Sequence, residues 1–218
     1  MKKWTELYSP QELILHDDDR YIIVNKPAGV PSQPDKTGDT SLSEWLTSHQ
    51  GTSPHILSRI DRPVSGAMIF SKKGGQQHRD IKKTYLAITT PPQKSEDTLE
   101  HYLQKDGRHH KSRIVTKEQG KLSKLTYRVI QELDKYVVLE IQLETGRFHQ
   151  IRVQLSHIGC PIKGDVKYGA RRGNRDRSID LHAYKVELPY LEAPILAPIL
   201  HKEGVWLHVD LVKGSRTS

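Results

Sequence analysis

The stretch Tyr136-Val137-Val138-Leu139-Glu140-Ile141-Gln142-Leu143-Glu144-Thr145-Gly146-Arg147-Phe148-His149-Gln150-Ile151-Arg152 changes its period halfway along. From Tyr136 to Glu144 apolar side chains fall on alternate positions, which reads as a half-buried strand. After Thr145-Gly146 the spacing becomes helical: Phe148, Ile151, Leu155 and Ile158 share one face, and Gly159 stands where a helix C′ residue belongs. Strand, tight turn and helix thus follow one another within about 24 residues. Outward from this point period two dominates, with strands predicted over 66–71, 83–89, 98–104, 125–132, 180–188 and 205–212. Several succeed each other with no helix between them, so the sheet is expected to be mixed and mostly antiparallel, with flanking helices, in an α+β fold.

Nearer the N-terminus, Leu13-Ile14-Leu15, the turn Asp17-Asp18-Asp19 and the β-branched run Tyr21-Ile22-Ile23-Val24 predict a hairpin. Ser41 and Glu44 have capping-box spacing, ahead of a short helix that places Leu42, Trp45 and Leu46 on one face. The basic stretch from Lys167 to Arg177 reads as a mobile loop. With no repeat and no low-complexity linker, residues 1–218 are expected to form one domain with a core over about 12–212.

Composition narrows the function classes. Hydrophobic residues are 35% of the chain, and no stretch approaches the roughly 18 apolar residues of a membrane span. Met1-Lys2-Lys3 runs into Trp4, Thr5 and Glu6 where the apolar core of a signal peptide would begin, so a cytoplasmic protein is expected. Cys160 is the only cysteine, which excludes an internal disulfide and a thiolate zinc cluster. The histidines show no ligand spacing, and His109-His110 sits in a polar segment that reads as a solvated basic loop, so no metal is expected. With 34 Lys and Arg against 26 Asp and Glu, the net charge of +8 points to a polyanionic partner.

Three segments carry candidate chemistry. In Ser58-Arg59-Ile60-Asp61-Arg62-Pro63-Val64-Ser65-Gly66 one carboxylate stands between two guanidinium groups, a setting that suits a charged nucleophile and equally a loop brace. Arg147 adjoins the positive end of the predicted helix dipole, so something negative, a phosphate or a carboxylate, should lie opposite it. In Lys83-Thr84-Tyr85-Leu86-Ala87, alternation puts Tyr85 on the same strand face as the small Ala87, which leaves room for a flat ligand on the ring.

Together these segments resemble the RluA-type family of RNA pseudouridine synthases. Arg59-Ile60-Asp61-Arg62-x-x-Ser65-Gly66, Lys83-x-Tyr85-x-Ala87 and Thr145-Gly146-Arg147-x-His149-Gln150-Ile151-Arg152 occur in the family's order and rough spacing. Val24-Asn25-Lys26-Pro27-Ala28-Gly29, Ile158-Gly159-Cys160-Pro161-Ile162-Lys163-Gly164-Asp165 with Tyr168-Gly169, and Leu181-His182-Ala183 add to the match.

The resemblance implies the pseudouridine synthase fold and isomerisation of a uridine in tRNA or rRNA after base flipping, without cofactor or metal. Asp61 would be the catalytic aspartate, Tyr85 would stack on the base and serve in proton transfer, and Arg147 would ion-pair with Asp61. Arg59 would enter the RNA stack, Arg62 and Arg152 would contact RNA, and Leu181 would pack on the base. The resemblance further implies that residues 1–218 are a single catalytic domain with no accessory RNA-binding domain, and that the protein is a monomer with RNA as its partner, no obligate protein partner and no membrane. A noncatalytic RNA-binding or RNA-folding protein on the same fold is the alternative. Two departures stand out: Ser58 replaces a histidine common in the family, and the 72–79 segment is shorter than the family's helix there.

Overall fold

In a computed structural model, the described residues are 3–51, 53–74, 80–200 and 203–211. They separate into two compact units, Met1–Lys83 with His182–Leu200, and Thr84–Leu181 with His201–Ser218.

The first unit holds α1 (Pro10–Leu13), β1 (Ile14–Asp17), β2 (Tyr21–Lys26), α2 (Leu42–Gln50), β3 (His55–Ser58) and β4 (Ser65–Ser71), followed late in the chain by β10 (Leu181–Glu187) and β11 (Ile195–Leu196). β1 and β2 form the predicted antiparallel hairpin, and β2 pairs with β4 from Tyr21↔Ser71 to Lys26↔Gly66. β10 joins β4 in parallel through His182↔Ser65 and Ala183↔Gly66, which makes the sheet mixed. Both faces are covered, and strand alternation divides the apolar side chains between them. Ile22, Val24, Met68 and Phe70 pack under Leu42, Trp45 and Leu46 of α2. Tyr21, Ile23, Ala67 and Ile69 pack on Val186, Leu188 and Ala197. Full burial of each large side chain contributes roughly 1.5–3 kcal/mol. Helix α2 begins at the expected cap: the Ser41 hydroxyl accepts from the Glu44 amide, and the Glu44 carboxylate accepts from the Ser41 amide.

The second unit is an antiparallel sheet in the order β5 (Lys82–Thr89), β9 (Val137–Leu143), β8 (Lys121–Glu132), β6 (Glu96–Asp106) and β7 (Lys111–Val115), with α3 (Gln150–His157) packed against it through Val153, Leu103 and Tyr168. The helix ends as predicted. Gly159 takes φ +82°, its amide donates to the Ser156 carbonyl and the Cys160 amide donates to Leu155, the double bond of a Schellman motif.

Several details differ from the sequence reading. Helix α3 starts at Gln150, because His149 before it adopts a left-handed φ of +53° that ends the turn. Strands β3 and β7 were not anticipated; β7, Lys111-Ser112-Arg113-Ile114-Val115, is short and polar. The segment read as a strand over 205–212 is a 3-10 helix at Gly204–His208. Its burial explains the change: Trp206 and Val209 are buried while Leu207 is 63% exposed, a spacing of three that suits three residues per turn and not two. The basic stretch after Val166 is also tied down. Lys163 donates to Asn174 and Asp180 (both 2.9 Å), and the Asn174 amide donates to Asp180 at 2.7 Å. Residues 75–79 of the shortened segment lie outside the described residues.

Candidate active site

The Asp61 turn joins β3 to β4, and its backbone is anchored at successive residues. The Ser32 hydroxyl donates to the Ile60 carbonyl at 2.6 Å. The Asp61 carbonyl accepts from the Val64 amide at 3.0 Å, which closes the turn, and the Arg62 carbonyl accepts from the Gly29 amide at 2.8 Å. Just beyond it Gly66, at φ +108°, lies so close to the Ala183 backbone that any side chain there would collide with it.

A fully buried cation sits beneath this turn. Lys26 is the last residue of β2, and its Nζ donates to the carbonyls of Pro27 (3.0 Å), Val30 (2.8 Å) and Arg62 (3.2 Å). Three acceptors match the three donors of an ammonium. Burial pulls its pKa down to about 7, and the Asp61 charge opposes that shift. Lys26 therefore holds the turn and, when protonated, sets a positive charge within electrostatic range of Asp61.

On the other side of the turn, Ser65 is bonded to His182. The Ser65 hydroxyl lies 2.8 Å from His182 Nδ1, while Nε2 lies 2.9 Å from the Ala197 carbonyl. A carbonyl only accepts, so Nε2 carries the proton and Nδ1 accepts from Ser65. Burial holds the ring neutral by drawing its pKa down to about 4.

The flanking arginines have distinct places. Arg59 is exposed and donates to Gln33 at 3.1 Å. Arg62 reaches into the 29–39 loop, donating to the Gly29 carbonyl and Thr37 hydroxyl (both 2.8 Å) and pairing with Asp35 and Asp39. Ser58 ends β3 with a buried hydroxyl that has no hydrogen-bond partner among the described residues.

The second unit carries the remaining predicted residues. Tyr85 lies on β5 opposite Ile141, with Ala87 two residues on opposite Leu139, and its side chain is 7% exposed. Arg147 is exposed on the turn between β9 and α3, and its Nε donates to the Leu122 carbonyl at 3.2 Å. Gln150 shapes that turn: its Oε1 accepts from the Arg147 amide (2.9 Å) and the Thr145 hydroxyl (2.8 Å). Leu181 is buried at the start of β10. Arg152 is buried in a two-bond ion pair with Asp165 at 2.7 and 2.8 Å, a setting in which removing either partner would strand a buried charge. Arg59, Asp61 and Arg62 thus belong to the first unit, and Tyr85, Arg147, Arg152 and Leu181 to the second.

Sequence reasoning missed the anchoring roles of Lys26, Ser32 and His182. A lysine closing a strand only two residues after the apolar run Tyr21–Val24 was the available signal for the first, since a buried amine demands acceptors. What the arrangement offers chemically is a carboxylate on a turn whose backbone is hydrogen-bonded at three successive residues, with the Lys26 amine within electrostatic range. Such preorganisation removes reorientation from a reaction barrier.

Comparison with known proteins identifies the family and the fold. A family model described as RNA pseudouridylate synthase matches residues 20–157. Ribosomal large subunit pseudouridine synthase D of Borreliella burgdorferi is 30% identical over 196 residues, covering 80% of this chain and 60% of that protein. The protein of that name in Nitrosomonas europaea is 31% identical over 203 residues, covering 81% of this chain and 58% of its own. The chain spans about three fifths of the length of these relatives. The fold is shared with the human structure described as RNA Pseudouridylate Synthase Domain Containing 4, at a TM-score of 0.71 and 23% identity over 94% of this chain and 93% of that one. By the matched family model, the chain belongs to the RNA pseudouridylate synthase family.

Proposed function

We propose that this protein isomerises a uridine to pseudouridine in structured RNA, with Asp61 as the catalytic carboxylate. The observation that carries the reading is the anchored Asp61 turn, with Lys26 under it and the Ser65–His182 bond beside it. The bond from C1′ of the ribose to N1 of the base breaks with assistance from Asp61, the base turns, and a new bond forms from C1′ to C5. The C5 proton is then lost and N1 gains one, so the atoms balance without oxidation and the chemistry needs neither cofactor nor metal.

Extrusion of the uridine comes first, because a stacked base hides its glycosidic bond. Arg59, exposed two residues before Asp61, fills the gap in the stack. Tyr85 stacks on the flipped base and takes part in removing the C5 proton, Leu181 packs against the base, and Arg147 pairs with Asp61. Arg62 and Arg152 serve the RNA site through the parts of the protein they hold, the 29–39 loop and the α3–Asp165 contact. The names of the bacterial relatives favour large-subunit ribosomal RNA over transfer RNA as substrate. The protein acts as a monomer in the cytoplasm, with RNA as its partner.

The test uses RNA from cells lacking the protein, labelled with tritium at uridine C5. Wild-type protein should release tritium, and Asp61→Asn should release none while binding RNA within a few fold of wild type. Substantial release by the asparagine variant would remove Asp61 from the mechanism. RNA binding by the wild type with no release from any RNA fraction would favour the noncatalytic RNA-folding alternative.

A further inference from the structure

The surplus charge of the chain is concentrated. Residues 105–113 and 167–177 together hold nine lysines and arginines against two aspartates, a surplus of seven within a chain whose whole net charge is +8. The first segment is the β6–β7 hairpin end and the second is the loop after Val166, and within the second unit they meet: Lys167 Nζ donates to the His110 carbonyl at 3.2 Å. Below that contact the Tyr168 hydroxyl accepts from the Ser112 amide at 2.7 Å. All nine cations are exposed.

A charge run is usually just a solvated surface, so what matters is whether these charges are cancelled and whether they are held. Among the described residues none of the nine is ion-paired with a carboxylate. Lys105 lies over the Phe148 ring (4.9 Å), Lys111 over Tyr168 (6.0 Å), Lys167 on a carbonyl and Arg113 on the Gln104 amide oxygen, all neutral partners. The two aspartates, Asp106 half-buried and Asp176 exposed, are engaged as caps within their own loops. Asp106 accepts from the Arg108 and His109 amides and from the His109 ring, and Asp176 accepts from the Ser178 amide and hydroxyl.

The loops that carry them are also held. The hairpin has a regular register down to Asp106↔Lys111, and the second loop is fixed at Lys167 and again at Asn174. The ledge is further bolted to the candidate site's own turn, since the Ser112 hydroxyl donates to the carbonyl of Phe148, the residue after Arg147.

We infer that this ledge docks the sugar–phosphate backbone of a folded RNA stem flanking the target uridine. Fixed loops of cations suit the regular phosphate rows of a duplex, whereas single strands are gripped mainly by exposed aromatic platforms; here Phe148 and His149 are half-buried and stacked on each other, Tyr168 is buried, and of the exposed rings His109 is bonded to Asp106. Contacts of this kind position the RNA without reading its sequence. The inference rests on the proposed activity only for the identity of the RNA.

The test is a variant with Arg108→Gln, Arg171→Gln, Arg172→Gln and Arg175→Gln together, all exposed and all outside the candidate catalytic residues. Its thermal midpoint is checked first, and two single-arginine variants serve if the fourfold one fails to fold. Binding is measured over a salt series with a labelled RNA hairpin and with unstructured polyuridine of equal length. For the hairpin, Kd should rise about tenfold or more at moderate salt, and the slope of log Kd against log salt should fall by about three. Polyuridine should lose markedly less.

Hairpin binding and slope equal to wild type would overturn the inference, as would equal losses on both probes. Neither measurement needs turnover. If the wild type released no tritium yet the variant still lost hairpin binding, the catalytic reading would fail and the ledge would stand. If tritium release were normal in wild type and the variant bound the hairpin normally, the ledge alone would fail.

Discussion

The Asp61 turn and the cationic ledge are both loops of polar residues, yet they are built in opposite ways. Around Asp61 the polar groups are buried and matched. The Lys26 ammonium meets three carbonyls, the Ser32 hydroxyl meets the Ile60 carbonyl, and His182 has a partner on each nitrogen. On the ledge the aspartates are turned into their own loops and the cations are left facing solvent with neutral neighbours. Matched burial fixes an angle, which a reacting carboxylate needs. Uncancelled exposure preserves charge for a partner that brings its own anions, and it costs little stability because water solvates it until then.

If that contrast is right, the largest effect should come from Lys26. In Lys26→Met the carbonyls of Pro27 and Val30 lose their buried donor, and the Arg62 carbonyl keeps only the Gly29 amide. Each unsatisfied buried group costs on the order of 1–3 kcal/mol, so a loss of roughly 2–4 kcal/mol is expected at pH 7, read as a lower denaturation midpoint. Turnover should fall further than RNA affinity, because what loosens is the turn carrying Asp61. Wild-type stability and turnover in this variant would mean that the buried ammonium is incidental to the turn.

A smaller, pH-dependent effect should come from His182. Its folded pKa of about 4 lies below the ordinary histidine value of 6.5, so between those limits the unfolded chain binds a proton that the folded one refuses. The stability contribution is complete above about pH 6.5 and is lost as pH falls toward 4, by an amount on the order of 3 kcal/mol if burial acts alone. His149 in the second unit, with its pKa drawn down to about 3 by burial and by the Arg152 and Lys167 charges, adds a loss of the same sign over a window reaching lower. His182→Gln keeps a donor for Ala197 and an acceptor for Ser65 but does not titrate. Thermal midpoints across pH 4–7 should therefore fall less steeply in the variant than in wild type. Parallel curves would show that His182 is not the titrating group.

The same distinction between local and tertiary causes decides how much could be read from the sequence. Strands β2, β4 and β8, the Ser41 cap and the Gly159 terminus were legible because alternation, cap chemistry and left-handed glycine are properties of a few adjacent residues. Strand β7 was hidden because a short edge strand rich in Lys, Ser and Arg has no apolar face to show. Asp61 and its arginines stood out as a charged loop, but the acceptors of Lys26 come from Val30 and from Arg62, 36 residues away, and no local pattern encodes that. Arg152 was expected at RNA from its place in a motif. Its ion pair with Asp165, 13 residues on, is a tertiary fact, made possible because α3 is buried almost all round from Gln150 to Leu155.

The smallest effect, and the one that sharpens the contrast most, is the stability of the ledge itself. Arg108, Arg171, Arg172 and Arg175 are exposed among like charges, so replacing them with glutamine removes repulsion and leaves no buried group unmatched. Surface changes of this kind usually stay within about 0.5 kcal/mol of neutral. The fourfold glutamine variant should therefore melt at the wild-type temperature or slightly above it in low salt. Added salt should close any gap, because it screens the repulsion the substitutions remove. A substantial loss of stability would mean that these arginines brace the fold as Lys26 does, and the division between a matched, buried turn and an uncancelled, solvent-facing ledge would have to be given up.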